Sequence, residues 1–182
     1  MKPTPTQGTR NNSGAKLTVL GSGTFTVGRD LTPGRYVITP KTGESGNLSA
    51  TTTDNPVAIN AILGNADSLG VPTYTATMTK GEVVNISGMS QVRFTPAVTK
   101  LHTSLSAGDW EVNLDIAAGR YVATPAHGES GNFTVYDADG LPTTNEILGQ
   151  ANGLGVPNVT VSLSSGNRIE ISGLTDVTFT KK

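Results

Sequence analysis

Tyr74-Thr75-Ala76-Thr77-Met78-Thr79 alternates apolar and polar side chains, and Val159-Thr160-Val161-Ser162-Leu163-Ser164 does the same 85 positions later. A period of two places successive side chains on opposite faces of an extended chain, so each stretch reads as a strand with one face buried and its Thr/Ser face in water. Working outward, a turn at Lys80-Gly81 or Ser165-Gly166 leads into Val84-Asn85-Ile86 and Ile169-Glu170-Ile171. A second turn at Gly88 or Gly173 leads into Val92-Arg93-Phe94 and Val177-Thr178-Phe179. Each region is therefore expected to be a three-stranded meander.

The shared spacing is a repeat. Shifting the chain by 85 positions lays residues 17–97 on 102–182 without a gap, with about 34 identities in about 81 pairs, far above what unrelated segments give. Gly34-Arg35-Tyr36-Val37 matches Gly119-Arg120-Tyr121-Val122, and Gly43-Glu44-Ser45-Gly46-Asn47 matches Gly128-Glu129-Ser130-Gly131-Asn132. Ile-Leu-Gly at 62–64 and 147–149, Leu-Gly-Val-Pro at 69–72 and 154–157, and Ile-Ser-Gly at 86–88 and 171–173 follow. Further strands near 17–20, 24–27, 35–39 and 47–51, each bounded by Gly or Pro, bring the expectation to seven per copy. The reading is all-β, with two tandem small antiparallel β-sandwich (jelly-roll-like) domains. Residues 58–63 and 144–148 are predicted as one or two helical turns ended by Gly64 and Gly149. The expected division is a disordered spacer at 1–16, module 1 at 17–97, a linker at 98–101 and module 2 at 102–182.

Charge and cysteine content narrow the functional classes. With 13 basic against 14 acidic residues and a formal charge of −1, there is no electrostatic footprint for nucleic acid or an anionic membrane. No apolar run is long enough to span a membrane. The chain has no cysteine, so neither disulfides nor thiolate metal sites are available and each module must rest on its apolar core.

Candidate chemistry is sparse. His102 and His127 face Leu17 and Thr42 in the other copy, so neither a zinc site nor a Ser-His-Asp set is expected. His127-Gly128-Glu129-Ser130-Gly131 lacks the glycine two residues after Ser that a nucleophile elbow needs; Asn132 stands there. Glu44, Asn47, Glu129 and Asn132 lie in a Gly-bracketed loop, read first as a shaped turn and second as a polar ligand loop. Arg35 and Arg120 are read as ion-pair partners for a carboxylate such as Asp30 or Glu44, or as anion binders. Tyr36 and Tyr121 are expected in the core with a wet hydroxyl, and Tyr136 as an exposed ring. Asp137-Ala138-Asp139-Gly140 resembles the start of a calcium loop without its later acidic ligands, and is read as a turn. No catalytic residue, metal or cofactor is expected.

The run Gly23-Thr24-Phe25-Thr26-Val27-Gly28-Arg29-Asp30-Leu31-Thr32-Pro33-Gly34-Arg35-Tyr36, with the Ile-Leu-Gly and Ile-Ser-Gly blocks, resembles tandem β-sandwich modules of uncharacterised surface or secreted proteins of lactobacilli and related Gram-positive bacteria. The second copy departs from the pattern with Asn113-Leu114 for Gly28-Arg29 and Ala118 for Pro33. The resemblance implies a module displayed outside the cell. Together these readings lead to a non-enzymatic extracellular binding or adhesion protein whose partner is a cell-wall polysaccharide, a glycan or a protein. The alternatives are a structural spacer and an enzyme subunit with its site between the modules.

Overall fold

The computed structural model describes residues 8–55, 58–65, 69–149 and 154–182. By internal contact the chain forms two compact units, residues 11–98 and residues 99–182, the second also holding residues 8–10. The first contains β1 (Thr18–Leu20), β2 (Gly23–Thr26), β3 (Gly34–Pro40), β4 (Ser45–Thr51), β5 (Ile59–Gly64), β6 (Tyr74–Met78), β7 (Val83–Ser87) and β8 (Val92–Pro96). The second contains β9 (Ser104–Leu105), β10 (Gly108–Glu111), β11 (Gly119–Pro125), β12 (Ser130–Tyr136), β13 (Pro142–Gly149), β14 (Val159–Leu163), β15 (Arg168–Ser172) and β16 (Val177–Lys181). Among the described residues there is no helix, and so none long and apolar enough to cross a membrane.

Each unit pairs its strands into antiparallel sheets with the same order in both copies. In the first, β1, β8, β3 and β6 are neighbours in that order, as are β2, β7, β4 and β5. In the second, β9, β16, β11 and β14 form one set and β10, β15, β12 and β13 the other. One buried cluster in the second unit draws Tyr121, Ala123, Val161 and Phe179 from the former set and Trp110, Phe133, Val135 and Ile169 from the latter. The period-two pattern supplies this core directly: every second residue of β3 from Tyr36 to Pro40 is buried. Each large apolar side chain removed from water contributes about 1.5–3 kcal/mol.

Aromatic pairs recur at matched positions. Tyr36 meets Phe94 edge to face at 6.0 Å between ring centroids, and Tyr121 meets Phe179 at the same separation. Their hydroxyls are not left to solvent, as the sequence had suggested. Tyr36 donates to the Thr32 carbonyl and Tyr121 to that of Ala117, each at 2.8 Å, because a phenol buried this deeply needs a protein acceptor.

Two expectations are corrected. The segments predicted as helical turns, residues 58–63 and 144–148, lie in β5 and β13 apart from Ala58, which precedes β5. Ile59, Ala61 and Leu63 point inward while Asn60 and Ile62 point out, a strand alternation hidden by an exposed isoleucine, Ile62 at 47 % and Ile147 at 54 %. Gly64 does not cap a helix; it admits a close backbone return. A methyl group there would sit 1.9 Å from the Leu69 carbonyl oxygen, and the returning chain bonds Val71 N to the Ile62 carbonyl at 2.9 Å. The second copy repeats this with Val156 N and the Ile147 carbonyl at 2.8 Å.

The second correction concerns the expected spacer. Its residues 1–7 lie outside the described residues, but from Gly8 onward the segment is bonded to the units. Asn12 accepts from Arg35 N at 2.7 Å and donates to the carbonyls of Arg35 and Ala97 at 2.9 and 3.0 Å. An Asn side chain thus supplies the donor and acceptor of a neighbouring strand, which is why so polar a segment holds to the module without apolar burial.

Glu82 is 3 % exposed in the β6–β7 turn, where one carboxylate oxygen accepts from Thr79 N at 2.8 Å and from its hydroxyl at 3.3 Å. Burial pushes its carboxyl above the usual range. A folded-state value above the unfolded one adds stability below the unfolded pKa, about 4.3, and that contribution is lost as pH rises through the folded value. Glu82→Gln is therefore expected to raise the thermal midpoint relative to the parent at pH 7 and to leave it nearly unchanged at pH 4, as read by calorimetry. Gly64→Ala should lower stability by more than about 2 kcal/mol in chemical denaturation, since its methyl has no space to enter.

Candidate functional site

The Gly-bracketed loops are tied down by their own acidic residue. Glu44 accepts from the Ser90 backbone at 2.7 Å, from the Gln91 backbone at 3.3 Å and from the Ser90 hydroxyl. Those bonds, with Lys41 at 3.4 Å, hold its carboxyl below the usual range. Glu129 binds the Thr175 N–H at 2.8 Å and the Thr175 hydroxyl in the same way. Both carboxylates thus fasten a turn to the strand entry opposite it. Asn47 and Asn132 are exposed on β4 and β12, beside Ile62 and Ile147 respectively.

The matched arginines part company. Arg35 is 4 % exposed and donates to the Thr77 hydroxyl at 3.3 Å, whereas Arg120 is exposed. The carboxylates suggested for Arg35 are engaged by other cations: Asp30 by Arg29 at 2.8 Å and Glu44 by Lys41.

Tyr136 is the predicted residue around which chemistry gathers. It ends β12, half-buried, with the Arg168 guanidinium 4.1 Å from its ring centroid and its hydroxyl donating to Glu170 at 3.2 Å. Arg168 also bonds Asp109 at 2.5 Å and reaches Glu170 at 3.4 Å. Strand register makes the group: Tyr136 pairs with Arg168 across β12 and β15, and Asp109 pairs with Glu170 across β10 and β15. Two carboxylates opposite each other repel, and Arg168 between them removes the repulsion. A cation over an aromatic face adds about 0.5–1 kcal/mol at an exposed site. Burial first, then the Glu170 carboxylate, pushes the Tyr136 phenol up.

In the first copy the same four positions are Thr24, Thr51, Val83 and Asn85, and the Thr24 hydroxyl simply donates to the Asn85 amide oxygen at 2.6 Å. The group therefore belongs to the second copy alone. Sequence reasoning singled out Tyr136 and missed Asp109, Arg168 and Glu170. The available signal was the charged replacement of three uncharged residues at alternate positions of matched strands. The Asp137 carboxylate accepts from Asp139 N and Leu141 N at 3.0 and 2.9 Å, the geometry of a turn.

Concave surface in the first module includes a cavity of about 290 Å³ lined by Thr52, Asp54, Lys80 and Glu82, and one of about 300 Å³ lined by Val19, Thr39, Lys41 and Arg93. Neither is lined by an aromatic ring. The Tyr136 group offers a ring edge, carboxylate acceptors and guanidinium donors on a rigid sheet, a surface suited to holding a polar ligand. No protein-family model, curated protein or solved structure matches this chain.

Glu170→Gln is expected to bring the Tyr136 phenol down toward the ordinary tyrosine value of about 10, since it removes the adjacent negative charge. Absorbance titration of the parent and variant, with Tyr136→Phe to assign the transition, measures the shift.

Proposed function

We propose that this chain is a non-enzymatic binding protein of two tandem jelly-roll-like β-sandwich modules, secreted by or displayed on a Gram-positive bacterium, and that it holds a glycan or cell-wall polysaccharide through the second module. The observation that carries this reading is the Tyr136, Arg168, Glu170 and Asp109 group on one sheet face. A sugar offers apolar C–H groups with hydroxyls at the rim, and the group offers a ring edge with charged donors and acceptors around it. Rigid strands hold these side chains in place before a ligand arrives, which reduces the ordering that binding requires.

Restriction of the group to one copy changes the value of the duplication. Two equivalent sites would act together through avidity, but the matched positions of the first module carry Thr24, Thr51, Val83 and Asn85. That uncharged face supports a second reading for the first module: a spacer that carries its neighbour and binds nothing itself.

The full chain is expected to bind purified Gram-positive cell walls or a subset of an array of glycans saturably, and Tyr136→Ala to weaken that binding at least tenfold with an unchanged circular dichroism spectrum. Equal binding by parent and variant would remove Tyr136 from the site. Absence of binding to both panels would leave the spacer reading for the whole chain.

A further inference from the structure

Asp30 and Asp115 occupy the same place in the two copies, and their carboxylates perform the same local task. Asp30 accepts from Thr26 N at 2.8 Å and Asp115 from Glu111 N at 2.9 Å, positions that also match in the repeat. The turns around them agree: Gly28 N bonds the Leu31 carbonyl and Asn113 N that of Ile116, each at 2.6 Å. The difference is the cation. In the first module Arg29, immediately before the aspartate, grips it through Nε at 3.1 Å and Nη2 at 2.8 Å. In the second, position 114 is leucine and has no charge to offer.

Arg10 supplies it from outside the repeat. Its Nη1 lies 3.0 Å from one Asp115 oxygen and its Nη2 3.2 Å from the other, while Nη2 also reaches Glu111 at 2.7 Å. The fork geometry is the one in which a guanidinium matches a carboxylate best. Nη1 further contacts the Thr99 hydroxyl at 3.4 Å. The contact is sheltered: the Arg10 side chain is 14 % exposed and that of Asp115 3 %, so solvent screens it far less than a surface pair. Two residues before it, Gly8 donates to the Asn113 carbonyl at 2.8 Å. A methyl group on Gly8 would lie 2.7 Å from a Leu114 methyl carbon. The leucine that stands where the first module has its arginine therefore packs directly beneath the incoming segment.

We propose that Asp115 and Glu111 form a guanidinium-binding notch for a Gly-x-Arg peptide segment, which the chain fills with its own residues 8–10 in place of the arginine the first module carries at position 29. The notch is then a receptor site with a separable ligand. Its selectivity is for a fork-shaped cation that reaches Asp115 and Glu111 together, on a segment positioned by the Gly8 bond to the Asn113 carbonyl.

In the full chain, Arg10→Ala is expected to lower the thermal midpoint by several degrees, and Leu114→Arg added to Arg10→Ala to restore most of the loss by rebuilding the arrangement of the first module. Arg29→Ala, at an exposed pair, should shift the midpoint much less. A chain starting at Asn11 should bind the peptide acetyl-Gly-Thr-Arg-Asn-amide, with saturating NMR shifts at the Asn113 and Leu114 amides by about 10 mM, the scale of effective concentration for a short tether. Acetyl-Gly-Thr-Ala-Asn-amide should give none, nor should the arginine peptide with Asp115→Asn. An unchanged midpoint for Arg10→Ala, failure of Leu114→Arg to rescue it, or equal response to the two peptides would each overturn the proposal; the full-chain variants decide it should the shortened chain not fold.

Discussion

Backbone carbonyls approach several glycines so closely that only hydrogen can stand between them. A Cβ on Gly46 would lie 2.1 Å from the Ser87 oxygen and one on Gly131 2.4 Å from that of Ser172; the corresponding distances at Gly64 and Gly149 are 1.9 and 2.0 Å. Gly64 and Gly149 end β5 and β13 where the chain returns along them, while Gly46 and Gly131 sit at the end where β4 meets β7 and β12 meets β15, with Asn47 opposite Ser87 and Asn132 opposite Ser172. Fixing that end fixes the register of the whole pair, and register decides which side chains face inward, since a slip of one residue would send Leu48 and Ala50 to solvent and Asn47 and Ser49 to the core. The core therefore depends on a steric constraint with no side chain of its own.

The blocks repeated most faithfully are largely the blocks holding these contacts. Gly-Glu-Ser-Gly-Asn contributes the glycine and the clamping glutamate, while Ile-Leu-Gly and Ile-Ser-Gly supply the second glycine and the carbonyl that approaches the first. Outside those blocks the copies diverge, most visibly on the face where Thr24, Val83 and Asn85 stand in one copy and Asp109, Arg168 and Glu170 in the other. A face that takes no part in register or burial can change without disturbing either.

Much of this was legible in the residues. Alternation located β6, β7, β8 and their partners in the second copy because their apolar residues fall inward at every second position. It failed at β5 and β13, where an outward isoleucine made an alternating strand look like a continuous apolar run. It failed also at residues 8–16, where hydrogen bonding by Asn12 and ion pairing by Arg10 replace burial, interactions that leave no hydrophobic pattern. The candidate site was half visible for a similar reason. Tyr136 drew notice as an expected exposed ring, but its partners lie on other strands, and only register shows that Arg168 and Glu170 stand beside it.

The return of the chain after Gly64 and Gly149 has a consequence for life in crowded surroundings. A terminal strand of a sheet exposes a row of backbone donors and acceptors that can recruit an identical strand from another molecule and seed aggregation. On β5 and β13 part of that row is already occupied, because Val71 and Val156 run parallel to Leu63 and Leu148 and take up the Ile62 and Ile147 carbonyls. The bonds that complete each module thereby shield its hydrophobic β-structure from templating copies of itself, a protection that needs neither disulfides nor high net charge.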